Sequence, residues 1–195
     1  LTVDTAERYP NNKVLVPDLF GLRKRLWKEE REYLDDKFSL DFNDKQIGTM
    51  KVSCFVFKNR IKDNNIKESR DIIRKRYFKN GMSVIFSMNG QVQGHFTTEF
   101  ISRSLKMNLL KNHLLIHVDC TAMNYSFRKD MFMASRDRLK DGKETQYLRR
   151  FLADGLGGSG SRLSEIEKQR KNAADIDTSA STQKLLRDFT RKMPL

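Results

Sequence analysis

The chain has 195 residues, 38% of them hydrophobic and 13 of them Phe, enough apolar material for a packed interior, which excludes disorder along its whole length. Its 38 Lys and Arg against 25 Asp and Glu leave a net charge of +13, a field that attracts phosphate, nucleic acid or anionic membrane without choosing among them. No apolar run approaches the ~18 residues of a membrane helix, so no membrane partner is expected.

The opening LTVDTAERYP has neither the charged nor the apolar region of a signal peptide and no initiator Met, so the chain reads as a piece of a longer protein. Residues 17–35 place Leu19, Leu22, Leu26 and Tyr33 on one helical face, with Pro17 and Asp18 suited to a first turn; they predict a helix weakened by Gly21. In KFSLDF, Phe38, Leu40 and Phe42 alternate with polar neighbours, and GTMKVSCFVFK is rich in β-branched and aromatic residues, which predicts two strands.

Residues 58–80 form the most basic segment. There Ile66 and Ile73 mark the inner face of a short helix that would carry Lys67, Arg70, Arg74 and Lys75 outside. These four are the candidate nucleic-acid contacts. A solvated insertion is the plainer reading, because only Tyr77 and Phe78 interleave the charge and a stacking platform needs more.

GMSVIFSMNGQ predicts a strand, Met82 to Met88, closed by the reversal Asn89-Gly90. A helix is expected next, with Thr97 or Thr98 as cap and Ile101, Leu105 and Leu109 at helical spacing. HLLIHVDC predicts another strand, and KDMFMASRDRLKDG a helix stopped at Gly142. From residue 145 onward three short amphipathic helices are expected, separated by GLGGSGS and DIDTSAS. GLGGSGSR lacks the Lys of a phosphate-binding loop and follows a helix, so a flexible linker is its reading.

His113, His117 and Cys120 lack the second ligand pair of a zinc site, and no metal ligands are assigned. Cys54 and Cys120 each lie inside an apolar strand-like run, which suits buried hydrophobes in a reducing compartment and makes the cytoplasm the expected location. No nucleophile elbow or complete active site emerges, so the chain is not expected to be catalytic by itself.

Phe86-Ser87-Met88-Asn89-Gly90-Gln91, the predicted helix around Ile101 to Met107, the strand Leu114 to Asp119 and the loop Tyr125 to Lys129 before Asp130-Met131-Phe132 occur in a suggestive order. Together they resemble the ribosomal-S5-like transducer domain of ATPases of the gyrase, heat-shock 90, histidine-kinase and MutL (GHKL) superfamily, of MutL or MORC type. The likeness spans residues 82–139 and, more weakly, 47–57. It departs from MutL in replacing H-P-x-K by Ser126-Phe127-Arg128-Lys129, so either Arg128 or Lys129 occupies the position of the family's phosphate-sensing lysine. Lys129 is favoured, because it directly precedes Asp130-Met131-Phe132.

The resemblance implies an α/β fold, a small sheet covered by helices with a left-handed crossover and a C-terminal helical extension. The expected division is a connector helix and first strand in 1–46, the S5-like transducer in 47–142 and the helical extension in 143–195. It implies a role in coupling ATP binding and hydrolysis in another domain to conformational change, in a DNA-associated process. The family's ATP-binding motifs are missing here, and ADGLGGSG fails D-x-G at Leu156, so ATP and Mg²⁺ would enter through a nucleotide-binding domain N-terminal to this chain. That domain is the expected partner, with DNA and a second copy of the chain in a homodimer as further ones. The competing expectation is a stand-alone basic nucleic-acid-binding module without ATPase role.

Overall fold

The computed structural model describes residues 21–28 and 30–192. Five strands form one sheet: β1 Leu34–Asp44, β2 Gly48–Phe57, β3 Met82–Met88, β4 Gln91–Thr97 and β5 Leu114–Asp119. Their order is β1-β2-β5-β3-β4, antiparallel throughout except for the parallel pair β3 and β5. Among the described residues five α-helices accompany them: α1 Leu22–Lys28, α2 Ile66–Tyr77, α3 Tyr125–Met131, α4 Lys143–Gly157 and α5 Arg162–Lys192. This is an α/β fold with a C-terminal helical extension, and the strands expected at 50–57, 82–88 and 114–119 share one sheet.

The side-chain period of two divides β2 between two cores. Met50, Val52, Cys54 and Val56 join Val84, Phe86, Ile116 and Val118 against Leu148, Leu152 and Leu156 of α4 and Leu163 of α5. On the opposite face Phe55, Phe57 and Leu115 meet Leu26 of α1 and Ile73, Tyr77 and Phe78 at α2. Each such buried side chain contributes about 1.5–3 kcal/mol. The second cover stops short: at the start of β2, Thr49 and Lys51 are exposed, and β5 carries the half-buried His117 and Asp119 on that face. Both sulfhydryls are free and buried, and burial pushes the Cys54 thiol up to about 12.

Helix α5 is tied to β1 by charge. Arg162 grips Asp36 with two hydrogen bonds of 2.7 Å, and Arg170, only 7% exposed, donates to Phe57 O at 2.6 Å and to Asp35 at 3.2 Å. Helix α2 begins with a capping box, Asn65 accepting from the Glu68 amide while Glu68 accepts from the Asn65 amide. Such a cap is worth about 1 kcal/mol.

Several local expectations are corrected. The helix expected over 17–35 is confined to Leu22–Lys28 within the described residues, and Pro17, Asp18 and Leu19 lie outside them. Leu34 onward is strand because β1 completes the sheet edge beside β2. The inner face of α2 is Ser69, Ile73 and Tyr77, whereas Ile66 in the first turn is 47% exposed. After Asn89-Gly90 the chain returns as β4, and the helix expected from Thr97 shrinks to one π-helical turn, Phe100–Ser104. Ladder hydrogen bonds to β3 take Thr97 into the strand, and Leu109 is exposed.

The largest correction lies around α3. Residues 125–129, expected as a loop, are helical, and residues 132–142, expected as a helix, are irregular with a Phe132–Leu139 bridge. Asn124 draws α3 onto the β1–β2 turn by donating to the carbonyls of Lys45 and Gln46 at 3.0 and 2.9 Å. The 132–142 segment closes on β4 at Gly94, where any Cβ would lie 2.7 Å from Leu139 Cδ2. Gly142 starts α4 instead of stopping a helix. DIDTSAS lies inside the continuous helix α5, and only residues 158–161 separate α4 from α5.

Candidate functional site

The β3–β4 turn, the end of β5 and α3 meet at one end of the sheet. Asn89 and Gly90 take positive φ, 50° and 77°, the geometry a two-residue hairpin turn requires. The turn is locked to β5: the Asn89 amide donates to Thr121 Oγ1 at 3.0 Å, and Thr121 Oγ1 donates to Asp119 Oδ1 at 2.6 Å. Burial would raise the Asp119 carboxyl, but two hydrogen bonds from Thr121 and the charges of His117 and Arg23 outweigh it and hold the group below its ordinary value.

Arg128 is folded back onto this lock. Its Nη1 lies 3.5 Å from both Met88 Sδ and the Thr121 carbonyl oxygen, and its guanidinium sits 5.4 Å from the centre of the Tyr125 ring. Lys129, the next residue, is exposed and has no ion pair or side-chain hydrogen bond among the described residues. Its carbonyl accepts from Lys140 Nζ at 2.8 Å, which fastens the last turn of α3 to the following loop. Neighbouring cations therefore stand in different environments, one clamped and one projecting.

Sequence reasoning missed a third cation. Arg136, assigned to a helix, sits in the irregular segment with φ 57° and donates from Nη1 to Gln91 Oε1 at 2.6 Å, on the same turn that Arg128 touches. A positive φ at an arginine is uncommon and marks strain held by its surroundings. No signal in SRDRLK announces it, because the conformation depends on closure of the 132–142 loop over β4.

The four other candidate residues stand apart from this cluster. Lys67, Arg70, Arg74 and Lys75 are all exposed on α2, with no ion pair among the described residues. Arg74 and Lys75 line a cleft of about 470 Å³ together with Lys79, Asn80, Thr98 and Asn112. Arg76 is instead drawn inward: its guanidinium and the Tyr77 hydroxyl donate to Glu30 at 3.1 and 2.5 Å, beside Arg25 at 2.8 Å. Burial would raise the Glu30 carboxyl, yet these hydrogen bonds and charges hold it below its ordinary value. This joins the end of α1 to α2.

Among the described residues no group of three His, Cys, Asp or Glu could hold a metal ion, and no helix is long and apolar enough to cross a membrane. The fold and its cations define a mixed-sheet α/β module with a basic rim beyond the ends of its parallel strands. Comparison with family models, with curated proteins and with solved structures finds no match to this chain.

Proposed function

We propose that the chain is the transducer module of a GHKL-type ATPase, which couples the state of a nucleotide in a partner domain to movement of this sheet. The observation that carries the reading is Lys129, a projecting ammonium free of ion pairs, mounted one residue after the clamped Arg128. Bound ATP and Mg²⁺ would supply the phosphate charge and its metal, both held by the partner domain. What this chain contributes is a cation on a short helix pinned at its base to the β1–β2 turn and, through Arg128, to Met88 at the end of β3, so that displacement of Lys129 is transmitted to the sheet. A charged hydrogen bond to phosphate is worth ~1.5–3 kcal/mol, which shifts a docking equilibrium roughly ten- to hundredfold.

Hydrogen exchange in the parent protein tests this. Amides of residues 121–131 should exchange more slowly with a non-hydrolysable ATP analogue than with ADP, because the γ-phosphate holds α3 against the partner domain. Equal exchange in the two nucleotide states would remove the proposal.

A second reading, a nucleic-acid surface on α2, is favoured by Lys67, Arg70 and Arg74 along one exposed helical face without acidic partners. It requires affinity for an oligonucleotide that falls steeply with salt and shows little sequence preference. The double reversal Arg70→Glu/Arg74→Glu is expected to abolish it; unchanged affinity rejects this surface.

A further inference from the structure

The open part of the sheet face beside α1 forms a cleft of about 410 Å³, lined by Arg23, Lys24, Trp27, Lys28, Ser39, Lys51 and Ser53. The apolar cover of that face includes Phe55 and Phe57 of β2; towards the start of the strand the face continues with the buried Ser53 and then the exposed Lys51. Helix α1 stands at its side as a wall carrying Arg23, Lys24 and Lys28 with no acidic residue of its own. Among the described residues no carboxylate lines the cleft. The nearest ones in the sheet are Asp41 and Asp119, the cross-strand neighbours of Lys51. Lys51 forms an ion pair with neither, while Asp119 lies 4.0 Å from Arg23 and is also held by Thr121.

A neutral donor completes the cleft. Ser39 Oγ and Ser53 Oγ lie 2.9 Å apart on neighbouring strands; Ser53 is buried, whereas Ser39 is exposed and can turn its proton outward while accepting from Ser53. Beside Ser53, its register partner His117 bonds Ser87 through Nε2 at 2.8 Å, and His117 Nδ1 is buried without a partner among the described residues. Trp27, 38% exposed, supplies an apolar flank held edge-on against Phe55 at 6.0 Å. Convergent cations, a hydroxyl donor and a flat apolar side match a tetrahedral oxyanion carried by a larger group.

We propose that this cleft binds a phosphate group, through Lys51, Lys28 and Arg23, with the Ser39 hydroxyl as a further donor. The site lies on the α1 side of the sheet, uses neither Lys129 nor α2, and does not rest on the ATPase reading. The phosphate has two sources of shared chemistry, a small phosphorylated molecule or the backbone of a nucleic acid strand.

Trp27 is the only Trp of the chain, so its emission reports from the cleft wall. The 195-residue chain is titrated at constant ionic strength with pyrophosphate and, separately, with a short single-stranded deoxythymidine oligonucleotide. A saturable change in Trp27 emission with either probe, weakened about tenfold or more by Lys28→Glu/Lys51→Glu and untouched by Arg70→Glu/Arg74→Glu, supports the site. Response to pyrophosphate alone assigns a small ligand, and response to the oligonucleotide alone assigns the strand backbone. No response from protein that circular dichroism shows to be folded overturns the proposal. So does a response reproduced by chloride, or one that survives Lys28→Glu/Lys51→Glu.

Discussion

Lys129→Ala in the parent protein is expected to lower ATP turnover about 10³-fold, the scale of removing a cation from a transferring phosphoryl group, while barely moving the melting temperature of this chain. The contrast follows from the environment of the residue. The Lys129 side chain is exposed and unpaired, so truncating it removes no packing and no ion pair from the fold. Lys129→Arg should restore turnover only in part, since a planar fork does not replace a compact ammonium at one oxygen.

Arg128→Ala should have the opposite profile, with a mild effect on turnover and a measurable loss of stability, because its guanidinium spans Met88, Thr121 and Tyr125. Arg136→Ala is the informative third variant, because its side chain reaches the same turn from the far loop. Steady-state turnover of the three variants, measured beside their thermal melts, separates the roles. Abolished turnover in Arg128→Ala with normal turnover in Lys129→Ala moves the phosphate cation back by one residue. The same pattern for Arg136→Ala moves it to the 132–142 loop. Normal turnover in all three leaves the rim purely structural.

The second large effect is on acid stability. His113 and His117 are both pushed down to about 4 from the ordinary 6.5: burial is the main cause in each, joined by the charge of Arg170 at His113 and of Arg23 at His117. In the unfolded chain both imidazoles take up protons as pH falls below about 6.5, whereas in the native protein they stay neutral until about 4. Proton uptake therefore favours unfolding in that window: the contribution is complete above pH 6.5 and disappears as pH falls towards 4. Each residue accounts for up to about 3 kcal/mol at the acid end.

Urea midpoints measured from pH 7 to pH 4.5 should fall steeply in the native sequence and much less in His113→Gln/His117→Gln. Glu30 and Asp119, whose carboxyls are held low, lose their contribution in a more acidic range as they protonate. An unchanged slope in the double variant would assign acid unfolding to the carboxylates.

What the sequence by itself determined is what short-range chemistry determines. β-Branched and aromatic runs made β2, β3 and β5, Asn89-Gly90 could adopt the positive φ its turn needs, and the charge of residues 58–80 had to lie outside an amphipathic helix. Arg128 and Lys129 were legible as adjacent cations, and the α2 cations as an exposed set.

Tertiary structure alone decided the rest. The strand expected in KFSLDF extends back to Leu34 and on to Asp44 because β2 offered an edge, and β4 exists because β3 did. The helix near Lys129 begins at Tyr125 and ends at Met131 because Asn124 is pinned to the β1–β2 turn and the following loop closes over Gly94. Arg136 reached the β3–β4 turn across 45 positions of sequence, and the α1 cations came to line one cleft with Lys51 across 23 to 28 positions. Periodicity and turn chemistry act within a few neighbours along the chain. Which cation is clamped, which projects and which faces a cleft depends on partners that only the closed sheet brings together.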